Sequence, residues 1–207
     1  SGPHGTVHLL GFGIDPSAPR LAAAARTNRL AKRASIEAVL RRLAKEEQLH
    51  LEWDDVAQGR GPEAYVGRNQ VAAALVRRGR AKSYKHAFQR FLENRRVPSP
   101  EVVAADEAVA ALREAGGLVV LAHPTHQDLD QHLRPLLDLG LDGLEVYRPH
   151  ALGGLLRRIE EAAATHDLLV TGGSDWHGHY PEPPLGTWRL VPEKVRTFLD
   201  RVRAGPR

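Results

Sequence analysis

Apolar and polar positions along the 207-residue chain follow two different periods, and the change between them divides it. Residues 7 to 14 read as a strand that opens Val7-His8-Leu9-Leu10, and Asp15-Pro16-Ser17-Ala18-Pro19 ends it with turn-forming residues. The next spacing is helical, over about Leu21 to Glu47, Arg68 to Arg77 and Ser83 to Phe91. Trp53-Asp54-Asp55 and Gly59-Arg60-Gly61-Pro62 separate these stretches, and no strand pattern interrupts them. From Pro98 onward helix and strand alternate. Helices are predicted over Pro100 to Ala115, Asp130 to Leu139 and 153–166, and apolar strands over 117–121, 142–147 and 168–171. Such alternation with short glycine-containing connections predicts βαβ units and a parallel sheet. Pro192 to Val202 reads as a closing amphipathic helix. The pattern therefore predicts an α/β domain made of residues 1–18 and 98–207, with an all-helical insertion over 19–97.

Composition narrows the chemistry. With 42% hydrophobic residues the chain can bury a sizeable core, and no apolar run approaches the roughly 18 residues of a membrane span. Cysteine is absent, so disulfides and thiolate metal sites are excluded and His and carboxylates remain as ligands; a cytoplasmic location is the expectation. The net charge of +4 is unevenly spread: Pro19 to Val97 holds 18 Lys plus Arg against 8 Asp plus Glu, and the rest is net acidic. A field of that sign attracts phosphate-bearing substrates or nucleic acid, although arginine-rich helices also serve as solvated faces.

Two motifs follow predicted buried strands: Leu121-Ala122-His123-Pro124 after Gly117-Leu118-Val119-Val120, and Gly172-Gly173-Ser174-Asp175-Trp176-His177 after Leu168-Leu169-Val170-Thr171. Both place imidazoles or carboxylates at a strand's carboxyl end, where α/β barrels build active sites. Asp175 and His177 stand two residues apart, and in extended backbone such side chains share a face and can converge on one ion. His8 is a third candidate. Taken alone, a strand histidine is more often a core residue, His123 a turn residue before Pro124, and Asp175 with His177 a helix cap. Glu145, in Gly143-Leu144-Glu145-Val146-Tyr147, leaves two readings open: pairing with a basic group, or a direct role.

These pieces, with Val7 to Asp15 and Pro184-Leu185-Gly186, resemble the polymerase and histidinol phosphatase (PHP) family of metal-dependent phosphoesterases in order and approximate spacing, over nearly the whole chain. The resemblance implies a distorted (β/α)7 barrel, incomplete here. Family members begin with a strand carrying His-x-His, then an Asp, an Asp-His pair and a Glu, none of which is present. The expectation is a fragment lacking roughly the first third of the domain and inactive alone, with Ser1 to Gly5 as a hairpin turn.

The resemblance further implies metal ligation by His8, His123, Asp175 and His177, up to three divalent ions, and a metal-bridged water as nucleophile. Imidazoles with carboxylates suit Mn²⁺, with Zn²⁺ or Fe²⁺ as alternatives, better than Ca²⁺ or Mg²⁺. His150 is a candidate substrate contact. Val66-Gly67-Arg68-Asn69-Gln70 resembles the family's Gly-Arg-Pro-His lid motif, which makes Arg68 a candidate phosphate contact, while Asn69 and Gln70 replace Pro and His. The expected activity is hydrolysis of nucleotide phosphates or short oligonucleotides. The rival readings are a nucleic-acid-binding or regulatory module with a vestigial metal site, and a histidinol-phosphate phosphatase.

Overall fold

The computed structural model describes residues 6–61, 65–92, 102–176 and 185–205. By internal contacts the chain divides into two compact units, Ser1–Ala24 with Val103–Arg207, and Ala25–Val102.

Strand β1 (Leu9–Phe12) is followed by α1 (Pro19–Glu47), α2 (Trp53–Ala57), α3 (Arg68–Arg77) and α4 (Tyr84–Ala87), the last running into a π-helical turn at Phe88–Leu92. Ile36, Val39, Leu40 and Leu43 recur at helical spacing on α1 and pack with Val71, Ala72, Ala74 and Leu75 of α3 as the core of the second unit. The segment Trp53-Asp54-Asp55, expected to separate helices, instead forms one. The cause is local: the Asp55 carboxylate accepts the Glu52 backbone N–H at 2.8 Å and so satisfies an orphan donor of the first turn.

The first unit continues with α5 (Ala105–Glu114), β2 (Leu118–Leu121), α6 (His126–Gln131), α7 (Leu133–Asp138), β3 (Gly143–Tyr147), α8 (Gly153–Thr165) and β4 (Leu169–Gly172). A 3₁₀ turn at Pro192–Val195 leads into α9 (Arg196–Arg203). The predicted helix Asp130 to Leu139 is two helices starting at His126. Thr125 caps α6 by accepting the Asp128 N–H, and Pro135 cannot donate to Gln131, so the ladder breaks at His132 and restarts.

The sheet order is β1-β2-β3-β4, with β2, β3 and β4 parallel as predicted. β1 is antiparallel to β2, Leu9 lying opposite Leu121 and Phe12 opposite Leu118. The α/β class and the barrel-type arrangement implied by the motifs hold. Val119, Leu121, Leu144 and Val146 alternate onto one face and pack against Val109 and Leu112 of α5, Leu136 of α7 and Ile159 of α8. The intervening residues of β3, including Glu145, point to the opposite face, and Glu145 and Thr171 are the buried polar residues among those described.

Candidate metal centre

The antiparallel direction of β1 decides where its histidine goes. His8 precedes the first residue of β1, so it lies at the end of the sheet where the parallel strands finish, and its carbonyl accepts the Ala122 N–H at 2.9 Å. There His8 Nδ1 stands 2.9 Å from His123 Nε2, the rings meeting edge to face with centroids 4.8 Å apart. His8 is exposed and His123 half-buried.

Backbone strain marks the same place. Five described non-glycine residues have positive φ: Gln48, Gln58, Asp167, His123 and Asp175. Gln48 and Gln58 directly follow helices and Asp167 comes just past the C-cap of α8, where a left-handed residue commonly ends the ladder. His123, at φ 34°, and Asp175, at φ 51°, have no helix to end and lie beyond β2 and β4. Unfavourable conformations of this kind cost on the order of 1–3 kcal/mol and collect at functional sites.

The loop carrying Asp175 is shaped by its glycines. A Cβ on Gly172 would sit 2.6 Å from the Tyr147 carbonyl, and one on Gly173 would sit 2.5 Å from Glu145 Oε1. The loop can therefore lie against β3 only without side chains there. Glu145 meets no basic group among the described residues: it is buried, and its Oε2 accepts the His123 backbone N–H at 2.8 Å.

Arg148, unnoticed in the sequence, leaves the end of β3 and donates from Nη2 to the Pro124 carbonyl at 2.6 Å, tying two strand-end loops together. Its Nε is buried without an acceptor among the described residues. The available signal was its position, a cation directly after a buried parallel strand. His150 is exposed in the following turn, and His126 opens α6 against the Arg158 guanidinium at 2.9 Å. Asp175 is exposed, and His177 lies outside the described residues.

In the second unit Arg68 is the first residue of α3 and is exposed. Burial, and secondarily the like charge of Arg68, push the Lys32 ammonium below its ordinary pKa. Gln70 accepts the Gly67 N–H at 2.8 Å and thereby caps α3.

The donor set suits a metal ion in part. Nitrogens bound to one cation at about 2.1 Å, cis at a right angle, stand roughly 3 Å apart. The separation of His8 Nδ1 and His123 Nε2 fits two ligands of one ion. Among the described residues no group of three or more His, Asp or Glu gathers for an ion.

No family model matches the chain. It is 30% identical over 193 residues to phosphoribosyl 1,2-cyclic phosphate 1,2-diphosphodiesterase of Eggerthella lenta, covering 89% of this chain and 71% of the relative. It is 31% identical over 220 residues to the 3',5'-nucleoside bisphosphate phosphatase of Chromobacterium violaceum, covering 94% and 75%. A crystal structure from Bifidobacterium adolescentis, assigned as a metal-dependent phosphoesterase, superposes with a TM-score of 0.82 at 31% identity, over 97% of this chain and 73% of that one.

Proposed function

The chain belongs to the PHP family of metal-dependent phosphoesterases, and from that premise we propose that it hydrolyses a phosphate ester of a nucleotide or short oligonucleotide, with His8, His123, Asp175 and His177 as metal ligands. The observation that carries this reading is the pair His8 Nδ1 and His123 Nε2, brought to 2.9 Å at the carboxyl edge of the sheet. The pair is not there as core, since His8 is exposed and His123 only half-buried. A bound divalent cation supplies a nucleophile at neutral pH and neutralises charge that accumulates on phosphoryl oxygens. His8 and His123, with convergent nitrogens, would hold one ion, and Asp175 and His177 would reach the other ions of the centre, Asp175 from a glycine-shaped loop with positive φ.

Mn²⁺ is the metal we assign first, because imidazole with carboxylate suits it; Zn²⁺ and Fe²⁺ match the same donors. Arg68 is assigned to a substrate phosphate, supported by the second cation, Lys32, whose partly buried ammonium feels its charge. An oligonucleotide offers more phosphates to the 18 Lys and Arg between Pro19 and Val97 than a mononucleotide does. His150, exposed at the end of the turn after β3, is assigned to the substrate as well. The soluble side of the cell interior is the proposed location; no described helix is long and apolar enough to cross a membrane.

The test uses the full-length protein, stripped with chelator and assayed on a nucleoside 3',5'-bisphosphate and on a short oligoribonucleotide. Phosphate or nucleotide release should return on adding Mn²⁺. Absence of turnover with Mn²⁺, Zn²⁺ and Fe²⁺ alike would reject the proposal.

A further inference from the structure

Glu145 is a carboxylic side chain placed inside the sheet, 7% exposed, with no cationic partner among the described residues. A buried carboxyl group is costly unless its oxygens are satisfied, so what it touches indicates why it is there. One oxygen, Oε2, accepts the backbone N–H of His123 at 2.8 Å. The other, Oε1, lies where a Cβ on Gly173 would come within 2.5 Å of it. The two contacts fall on the two loops whose residues His123 and Asp175 hold the unfavourable positive φ values. Strained backbone persists where its surroundings over-determine it.

We infer that Glu145 is a positioning residue: its carboxyl group fixes the His123 backbone on one side and seats the Gly173 loop on the other, so that the imidazole of His123 and the carboxylate of Asp175 are set for one metal centre. The inference rests on the reading of His123 and Asp175 as ligands. In this role Glu145 acts through the His123 backbone and the Gly173 loop and is not itself a ligand. Its position in the middle of β3, hydrogen-bonded across to the end of β2, makes it the rigid element from which both loops are registered. Outer partners that orient metal ligands are worth about 10–100-fold in metal affinity or activity.

The decisive experiment measures Mn²⁺ binding directly, by the electron paramagnetic resonance signal of free Mn²⁺, in the full-length protein. Glu145→Ala should bind Mn²⁺ about 10–100-fold more weakly. Glu145→Gln, which keeps an acceptor for the His123 N–H, should stay within roughly threefold of wild type, a rescue expected of hydrogen-bond positioning. Gly173→Ala should weaken binding by itself but add little in the Glu145→Ala background, because its new Cβ displaces the carboxyl group that is no longer there.

Wild-type Mn²⁺ affinity in Glu145→Ala, or full additivity with Gly173→Ala, would overturn the inference. Should Glu145→Ala not fold, Glu145→Gln decides: affinity close to wild type supports the role, and a tenfold loss rejects it. A His123→Ala variant runs alongside. If it binds Mn²⁺ like wild type, the ligand assignment itself has failed, which separates that failure from an error about Glu145.

Discussion

His8 and His123 are 115 residues apart in sequence, yet His8 Nδ1 and His123 Nε2 lie 2.9 Å apart. The strand pairing produces this. β1 runs antiparallel to β2, so the residue before β1 and the residues after β2 share one edge. Two imidazole nitrogens at that distance share a proton or a cation, and the cation reading makes the pair the anchor of the metal centre. The edge-to-face ring geometry suits either, because each nitrogen's lone pair lies in its ring plane.

Replacing either member should therefore damage metal binding more than folding. His8→Ala and His123→Ala each remove a half-exposed or exposed ring that is absent from the apolar core. We expect Mn²⁺ affinity to fall by more than the roughly 10–100-fold typical of an outer partner. The melting temperature without metal should move by only a few degrees, as for surface substitutions. Titration calorimetry with Mn²⁺ and a thermal melt in chelator check both; unaltered affinity in the two variants would remove the anchor from the argument.

Asp175→Ala and His177→Ala should each reduce turnover of a nucleotide substrate by at least two orders of magnitude in the full-length protein. The loss should appear in kcat at saturating substrate, because it removes stabilisation of the transition state and not uniform binding. Relief of the positive φ at Asp175 offsets nothing, since alanine at φ 51° is itself unfavourable. Near-native kcat in either variant would strike that residue from the ligand set.

The parts that could be read in advance share a physical property: they are local. The helical spacing of α1 and α3, the parallel strands β2 to β4 and the strand-end positions of His123 and Asp175 all follow from periodicity and turn chemistry within a dozen residues. Non-local facts were not legible. Nothing in Gly143-Leu144-Glu145-Val146-Tyr147 says that Glu145 reaches the His123 backbone, because that contact depends on the register between β2 and β3. The helix at Trp53–Ala57 escaped because a capping interaction between Glu52 and Asp55 outweighs the turn-like composition of Trp53-Asp54-Asp55. Arg148 escaped because strand-end position alone does not distinguish a loop tie from a solvated side chain.

The charge of the helical segment yields a kinetic test. Arg68→Ala should raise KM for phosphorylated nucleotides several-fold, leaving bound Mn²⁺ and kcat nearly unchanged, since lost uniform binding is felt in KM. Rising salt should weaken oligonucleotide binding more steeply than mononucleotide binding, because more phosphates are engaged. Steady-state kinetics at two salt concentrations separate this from a solvated surface, for which Arg68→Ala would leave KM as it is and the two salt slopes would be equal.

Asp55 provides a pH-dependent test of how the helical unit is held. Its carboxyl pKa is lowered, first by the Glu52 backbone N–H that it accepts and then by the hydrogen bond from Arg78. A depressed folded-state pKa means that the folded protein binds the proton less readily than the unfolded chain. The stabilisation is therefore fully present above the unfolded value, about 3.9, and is lost as pH falls through the lower folded value. Asp55→Ala should cost about 1 kcal/mol at pH 7, the usual worth of a helix-capping side chain, with the exposed Arg78 pairing adding little. Circular dichroism melts of wild type and variant should show their full separation from pH 5 to 7 and a narrowing gap below pH 4. A gap that is constant with pH would mean that the carboxylate charge plays no part in capping α2, and that Asp55 acts there only as a neutral acceptor.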